Sequence, residues 1–230
     1  MKTITEKLPL LLVLFVATGL LYAGARMIPA GIASYQAEAF IGAWEQAAAE
    51  PSPRAWVIAQ GAAQRAVDWY PAANGDHLDR LGRIYSWWQF RHPYGDPLAE
   101  VSRRAALETY RAATAARPAW PYSWERLAHT KLYLQQFDGE FAHALNEARR
   151  LGPWRIGVNR ELAAIGLSAW AQLDEKQRQA SLESARRVAA YGPAEAKRLL
   201  ELAEATGHLD ELCNKLGPAL ITTRKLTPCT

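Results

Sequence analysis

The residues that most often carry out chemistry are sparse in this chain. Among its five histidines, His129 and His143 fall on the two helices of one predicted hairpin, and Glu125 lies one helical turn before His129. A metal site needs at least a third ligand, and Glu125 is the residue available for that role. Histidines on the surface or between helices are the simpler interpretation, so we expect no metal site.

Carboxylate pairs offer a second kind of chemistry, because two carboxylates can supply acid and base catalysis at a glycosidic bond. Helical or turn spacing relates the pairs Glu38 with Glu45, Asp76 with Asp79, and Glu201 with Glu204. The same spacing is ordinary for ion pairs on solvated helix faces. No phosphate-binding glycine loop, nucleophile elbow or zinc-protease motif occurs in the sequence. We therefore expect a protein that is not an enzyme and has no cofactor, with an unrecognised hydrolase or transferase as the last alternative.

The composition predicts an all-α fold. The 230 residues include 43 Ala and 28 Leu, against only 16 Val and Ile together. Alanine and leucine favour helices, whereas β-branched residues favour strands. The net charge of +4 is mild and gives no reason to expect a nucleic-acid partner.

The N-terminus has the pattern of an export signal. Lys2 and Lys7 precede an uncharged run from Leu8 to Ala25, which is 18 residues and about 27 Å long as a helix. That length nearly matches the hydrocarbon core of a bilayer, so we expect residues 1–33 to form an uncleaved transmembrane anchor.

The orientation of this segment follows from its charges, because lysines before a membrane segment favour the cytoplasmic side. We expect a single-pass protein of the bacterial inner membrane with its body in the periplasm. A small-x-small site at residues 23–25 keeps an alternative open, in which the chain is cleaved after Ala25 and is soluble in the periplasm.

The two cysteines fit an oxidising compartment. Cys213 and Cys229 lie 16 residues apart near the C-terminus. A pair in one short segment is a plausible disulfide there, and two free thiols are the alternative.

A recurring pattern follows the anchor. Prolines that follow predicted helices occur at 71, 118, 153 and 193, at intervals of 47, 35 and 40 residues. A Leu-Ala pair follows each of the last three prolines by nine and ten residues, and Leu81-Gly82 takes that place after Pro71. We expect a helical-repeat domain over residues 34–215 and an extended tail over residues 216–230.

The pattern resembles the tetratricopeptide repeat. The best local match is Leu81, Gly82 and Tyr85, followed by Ala105, Tyr110 and Pro118; later units supply Trp124, Leu127, Ala128, Phe141 and Pro153, and then Leu162, Ala163, Ala185 and Pro193. The resemblance covers residues 71–217 and is degenerate, since the usual period is about 34 residues. It implies a solenoid of α-α hairpins with a concave groove.

The groove positions implied by that resemblance are a mixture of charged and aromatic residues. Counted from Trp124, the principal ones are Asp76, Asp79, Arg83, Trp87, Tyr122, Glu125, His129, Tyr133 and Arg160. A groove of this composition suits a protein segment better than an anionic polymer. Trp88, Trp124, Trp154 and Trp170 are expected in the core, and any exposed aromatics are possible stacking surfaces for sugars or anchors for a partner helix.

A narrower resemblance suggests a role. The segments 117–128, 137–145, 151–155 and 166–170 are similar to VpsP-type proteins, chiefly in the Trp-Pro-Tyr string at 120–122 and the Leu-Gly-Pro-Trp string at 151–154. That family has an N-terminal membrane segment and accompanies bacterial exopolysaccharide and O-antigen biosynthesis. The resemblance implies an accessory protein whose partners are membrane proteins of a polysaccharide polymerase, ligase or exporter. A glycan-binding module that uses exposed aromatics is the alternative.

Overall fold

The computed structural model describes residues 2–229, with side chains from residue 7 onward. Within that part of the chain the fold is all-α, with short 3₁₀ turns and no β-strand. The helices are α1 (Lys2–Ala47), α2 (Pro53–Trp69), α3 (Gly75–Trp87), α4 (Glu100–Ala116), α5 (Pro121–Tyr133), α6 (Gly139–Leu151), α7 (Ile156–Ser168), α8 (Glu175–Tyr191), α9 (Pro193–Thr206) and α10 (Leu209–Arg224). The composition-based prediction of an all-α protein is therefore confirmed.

The chain forms two compact units. The first unit contains residues 1–92 and 104–117, and the second contains residues 93–103 and 118–230. Helix α4 begins in the second unit and continues in the first. The sequence predicted one repeat domain over residues 34–215, so this division was not anticipated.

Helix α1 is 46 residues long, or about 69 Å. Its N-terminal part is apolar and exposed, and within the described residues it alone is long and apolar enough to cross a membrane, with a mean hydropathy of 2.2. A signal sequence has the same properties. The expected boundary between residues 33 and 34 is absent, because the helix continues past Pro29 into residues that pack against the body.

The first unit is built on close packing of small residues. Ala37 and Ile41 of α1 pack against Ala59 and Ala63 of α2, with Leu81 and Ile84 of α3 completing the cluster. Alanines keep the helices close together, and the apolar area removed from water stabilises the bundle. Asn74 caps α3 by accepting hydrogen bonds from the backbone N–H groups of the next residues.

Contact between α3 and α4 depends on a glycine. A Cβ atom at Gly82 would lie 2.5 Å from the ring of Tyr110, which is closer than real contacts allow. The Tyr110 ring therefore packs directly on the backbone of α3, and its hydroxyl lies 3.2 Å from Ser86 Oγ. This is the large-with-small packing that the Leu81-Gly82 pair indicates.

In the second unit, α5 with α6, α7 with α8, and α9 with α10 form successive helical pairs. Helix α5 also packs against α7, and α7 against α9. Asp138 caps α6, and Asp174 with Gln177 forms a capping box at the start of α8. This order of packing is typical of stacked hairpins; the tetratricopeptide-like solenoid itself stays a prediction.

The C-terminal residues differ from the expected extended tail. Helix α10 runs to Arg224 and is interrupted only at Gly217, which has φ 73° and ψ 159°. The helix resumes because Leu220 and Ile221 pack on the second unit's core, where Leu226 is also buried. Residue 230, the last of the predicted tail, lies outside the described residues.

The two cysteines of the chain, Cys213 and Cys229, are joined by a disulfide.

Candidate partner-binding surface

In the first unit, the predicted groove face of α3 is occupied by α1. Arg83 donates hydrogen bonds to Glu38 at 3.0 and 3.1 Å and to Glu45 at 2.7 Å. Arg80 donates to Glu38 at 2.6 Å. Burial raises the pKa of the Glu38 carboxyl, but the two guanidiniums outweigh burial and the net pKa lies below its usual value. Arg83 thus ties α3 to α1 instead of facing an open groove.

The other predicted residues of α3 are also engaged within the unit. Trp87 packs with its ring centroid 6.1 Å from that of Trp44 and 4.8 Å from that of Phe90. Asp79 is buried, and Asp76 is paired with Arg117. The repeat resemblance gives no position to α1, because it begins at residue 71, whereas the α1 residues on this face are Glu38, Trp44 and Glu45.

In the second unit, the predicted phase of α5 is wrong at one position. Glu125 is only 4% exposed and cannot line an open surface. The half-exposed stripe of α5 instead contains Tyr122, Arg126, His129 and Tyr133, which follow one another at intervals of four, three and four residues. A helical face has this periodicity, and Arg126 stands where the sequence placed Glu125.

Helix α7 contributes a matching stripe beside α5. Tyr122 packs over Gly157, where an added Cβ would lie 3.1 Å from the ring. Nδ1 of His129 lies 3.3 Å from the carboxylate of Glu161. We call the surface formed by these two stripes, with Tyr94 at one end and Trp120 at the other, the α5–α7 face.

One end of the α5–α7 face is an aromatic corner. The rings of Tyr94 and Tyr133 meet edge to face at 4.8 Å, and the Arg103 guanidinium lies 4.7 Å over the Tyr133 ring. Gly95, with φ 73°, makes the turn and donates its N–H to the Tyr133 carbonyl at 2.8 Å. Burial raises the pKa of the Tyr133 hydroxyl, so it remains a neutral hydrogen-bonding group.

The other end presents a cation over two aromatic rings. The exposed Arg155 guanidinium lies 5.1 Å from the Trp120 ring and 5.7 Å from the Tyr122 ring, and Arg126 also lies over Tyr122. Cation–π contacts hold the guanidinium planes in place while leaving their edges to donate hydrogen bonds. Arg155 precedes Arg160, the predicted groove residue of α7, and the repeat resemblance does not point to it because it is not a consensus position.

Arg160 points from α7 to α9. Its guanidinium binds Glu195 with two hydrogen bonds at 2.9 and 2.8 Å, between residues 35 positions apart. The hydrogen bond to Glu195 raises the pKa of Arg160, and the same pairing lowers the pKa of Glu195. Arg160 therefore joins two neighbouring helices and is not a free cation of the face.

Of the four tryptophans predicted for the core, Trp88, Trp124 and Trp170 are half-buried and Trp154 is exposed. Trp170 stacks on His208 at 4.7 Å, Trp124 donates its indole N–H to the Pro118 carbonyl at 2.8 Å, and Trp88 packs on Trp56 at 5.1 Å. Trp154, predicted for the core, is 86% exposed, with the Arg187 guanidinium 5.0 Å behind its ring. The Trp154 ring is thus an exposed aromatic surface of the second unit, and Arg187 packs against its other face.

The side chains of the α5–α7 face, together with Trp154, are suited to binding. Aromatic faces, guanidinium edges and one histidine with a carboxylate can bind a peptide through apolar contact and hydrogen bonds. Over the described residues there is no group of three or more histidine, cysteine or acidic side chains placed to hold a metal ion.

Comparison with known proteins leaves the family open. No protein-family model matches the chain, and no curated protein is significantly similar to it. The tetratricopeptide and VpsP-type resemblances therefore stay predictions.

Proposed function

We propose that the chain is a non-enzymatic, membrane-anchored scaffold that holds a partner protein on its helical body. The observation that carries this proposal is the continuity of α1. Its exposed apolar part and its packed part are one helix, and Arg26, directly after the apolar run, donates to the Asp68 carbonyl at 2.6 Å. An anchor built in this way holds the first unit at the membrane without a linker.

The partner-binding part of the proposal rests on the α5–α7 face. Aromatic residues and arginines are the side chains most enriched at the energetic centres of protein interfaces. Tyr94 and Arg155 are exposed at its two ends, while Tyr122 and Tyr133 are held in place by neighbours. A face that is ordered before binding loses little conformational entropy when a partner docks.

The cellular role and location are the further part of the proposal. Lys2 and Lys7 favour a cytoplasmic N-terminus, which puts the body in the periplasm. The VpsP-type resemblance favours a polymerase, ligase or exporter of exopolysaccharide or O-antigen as the partner. Cleavage after Ala25 is the alternative, and it would release the body into the periplasm.

Deletion and complementation in the native bacterium test this proposal. We expect deletion to lower extracellular or O-antigen polysaccharide, and the wild-type chain to restore it. The variant Tyr94→Ala with Arg155→Ala should fail to restore it, whereas Lys197→Ala with Arg198→Ala, two exposed cations of α9, should succeed. Unchanged polysaccharide after deletion would overturn the role, and full complementation by the Tyr94 and Arg155 variant would overturn the face.

A glycan ligand is the second candidate, and the exposed Trp154 ring favours it. Aromatic faces stack on the apolar faces of sugar rings, and Arg187 behind Trp154 holds its indole in place. If the glycan binds here, the purified protein should be retained by immobilised polysaccharide at high salt, and Trp154→Ala should abolish retention. Retention by Trp154→Ala equal to wild type would exclude this site.

A further inference from the structure

The end of the first unit next to the apolar run has the composition of a membrane interface. Helices α1 and α2 are joined by a short turn after Ala47 and run antiparallel, so α2 ends beside the residues that follow Ala25. The hydrogen bond from Arg26 to the Asp68 carbonyl establishes this placement directly. The α2–α3 turn, residues 70–74, therefore lies at the same level as the end of the apolar run.

Aromatic rings paired with arginines cluster at this level. The Arg26 guanidinium lies 5.8 Å from the exposed Tyr22 ring, and the Arg65 guanidinium lies 6.0 Å from the partly exposed Trp69 ring. Tyrosine and tryptophan prefer the headgroup region, and long basic side chains extend to the phosphates. We name Tyr22, Arg26, Arg65, Trp69 and the α2–α3 turn the basal collar.

The exposed side of α1 remains apolar beyond the run. Ile28 is 69% exposed, Ile32 is 57% exposed and Tyr35 is 78% exposed, although α1 buries its opposite side against α2. Counted from Leu8 at 1.5 Å per residue, a hydrocarbon core of about 30 Å ends near residue 28, and one headgroup layer of about 5–7 Å ends near residue 32. The exposed Ile28 and Ile32 side chains thus lie at the depth of the headgroup layer, and Tyr35 lies just beyond it.

We propose that the basal collar lies in the lipid headgroup layer, with Arg65 bound to lipid phosphate and Trp69 among the glycerol groups. This inference rests on the proposed membrane anchoring and adds a lipid-binding surface to it. The lipid surface is the occupant because the collar is continuous with the anchor, and because its rings and guanidiniums match both the apolar and the anionic parts of that layer. The first unit then stands on the membrane at a fixed height.

Probes on the full-length chain test the height of the collar. Both native cysteines are used in the disulfide, so an introduced cysteine carries a unique thiol. We would attach an environment-sensitive fluorophore at Ala72→Cys in the α2–α3 turn and, as control, at Val57→Cys near the opposite end of α2, where the side chain is also exposed. The labelled chains would be reconstituted in phosphatidylcholine vesicles that contain a headgroup-nitroxide lipid.

The expected result is quenching several-fold stronger at residue 72 than at residue 57. Flotation of the same vesicles reports anchoring independently. A chain that floats but shows equal quenching at the two positions overturns the collar and leaves the anchor intact. A chain that does not float overturns the anchor, and the collar with it.

The phosphate contact has its own control pair. Spin-labelled phosphatidylglycerol should associate with the reconstituted protein about twofold better than spin-labelled phosphatidylcholine. Arg65→Gln should lower this preference while Arg26 remains, and Arg54→Gln, on an exposed arginine at the far end of α2, should leave it at the wild-type level. An unchanged preference in Arg65→Gln would overturn the assignment of Arg65 to lipid phosphate.

Discussion

Glu38 and Arg83 are 45 residues apart in sequence, yet the Arg83 guanidinium donates to both carboxylate oxygens of Glu38, at 3.0 and 3.1 Å. Arg80 binds the same carboxylate. One acidic residue of α1 therefore holds two basic residues of α3. Helix α1, which carries the apolar run, is therefore an integral part of the first unit.

Glu38→Gln should destabilise the first unit, because a neutral amide leaves two half-buried guanidiniums without their shared carboxylate. We expect a loss of about 1 kcal/mol, since the site is partly exposed to solvent. Glu45→Gln is the matched control, because Glu45 binds Arg83 alone and is more exposed. Thermal unfolding in detergent would compare the two, and equal losses would contradict the central role of Glu38.

Gly82→Ala should be destabilising because its Cβ would collide with the Tyr110 ring at 2.5 Å. Overpacking of this kind costs about 1–3 kcal/mol. Gly42→Ala is the control in the same unit, since nothing lies within 4 Å of the position and alanine favours a helix interior. Chemical denaturation should therefore show opposite signs for the two variants, and a neutral Gly82→Ala would show that α4 shifts without cost.

Acid should weaken the second unit through Glu183. Its hydrogen bond with Arg186, together with the Arg187 contact, lowers the pKa of its carboxyl from 4.5 to about 2. The folded state therefore holds the charged form more strongly than the unfolded state, and this stabilisation is complete above pH 4.5 and lost as the pH falls towards 2. The stability difference between wild type and Glu183→Gln, measured by urea unfolding, should narrow across that range. A difference independent of pH would contradict the pairing.

Loss of the disulfide should loosen the C-terminal end of the second unit. In the chain-entropy model, a bond that closes a 16-residue separation stabilises by about 3 kcal/mol. Cys213→Ser with Cys229→Ser should speed amide hydrogen exchange in residues 218–229 and leave α2 and α3 unchanged. Reduction of the wild type by dithiothreitol should reproduce the effect. If exchange in this segment stays slow, packing of Leu226 alone holds it.

Local patterns were sufficient to predict the fold class and several helix ends. Alanine and leucine content predicts the all-α fold, and the uncharged run after Lys7 predicts a segment able to enter a membrane. The prolines at 118, 153 and 193 follow helices α4, α6 and α8 closely, and Pro193 also begins α9. Helix propensities and turn signals depend on residues that are close together in the chain, so they can be read from the sequence alone.

The identity of the exposed face needed the tertiary structure. A phase difference of one residue turns a side chain by about 100°, so consensus counting placed the buried Glu125 where Arg126 lies. Helix α1 covers Arg83 through its ion pair with Glu38, which lies 45 residues earlier in the chain. A local sequence pattern contains no information about such a distant contact. Trp154 lies in the turn between α6 and α7 and is exposed, although its residue type is highly buried on average.

The amino-acid order thus determined, by itself, the all-α class, the apolar N-terminal segment and the cysteine pair available for bonding. Only the tertiary structure decided that α1 is continuous from the apolar run into the first unit, that residues 218–224 return to a helix after Gly217, and which side chains form the α5–α7 face. The physical reason is that secondary structure depends mainly on neighbours in sequence. The exposure of a side chain depends on which helices, distant in sequence, pack against it and exclude water.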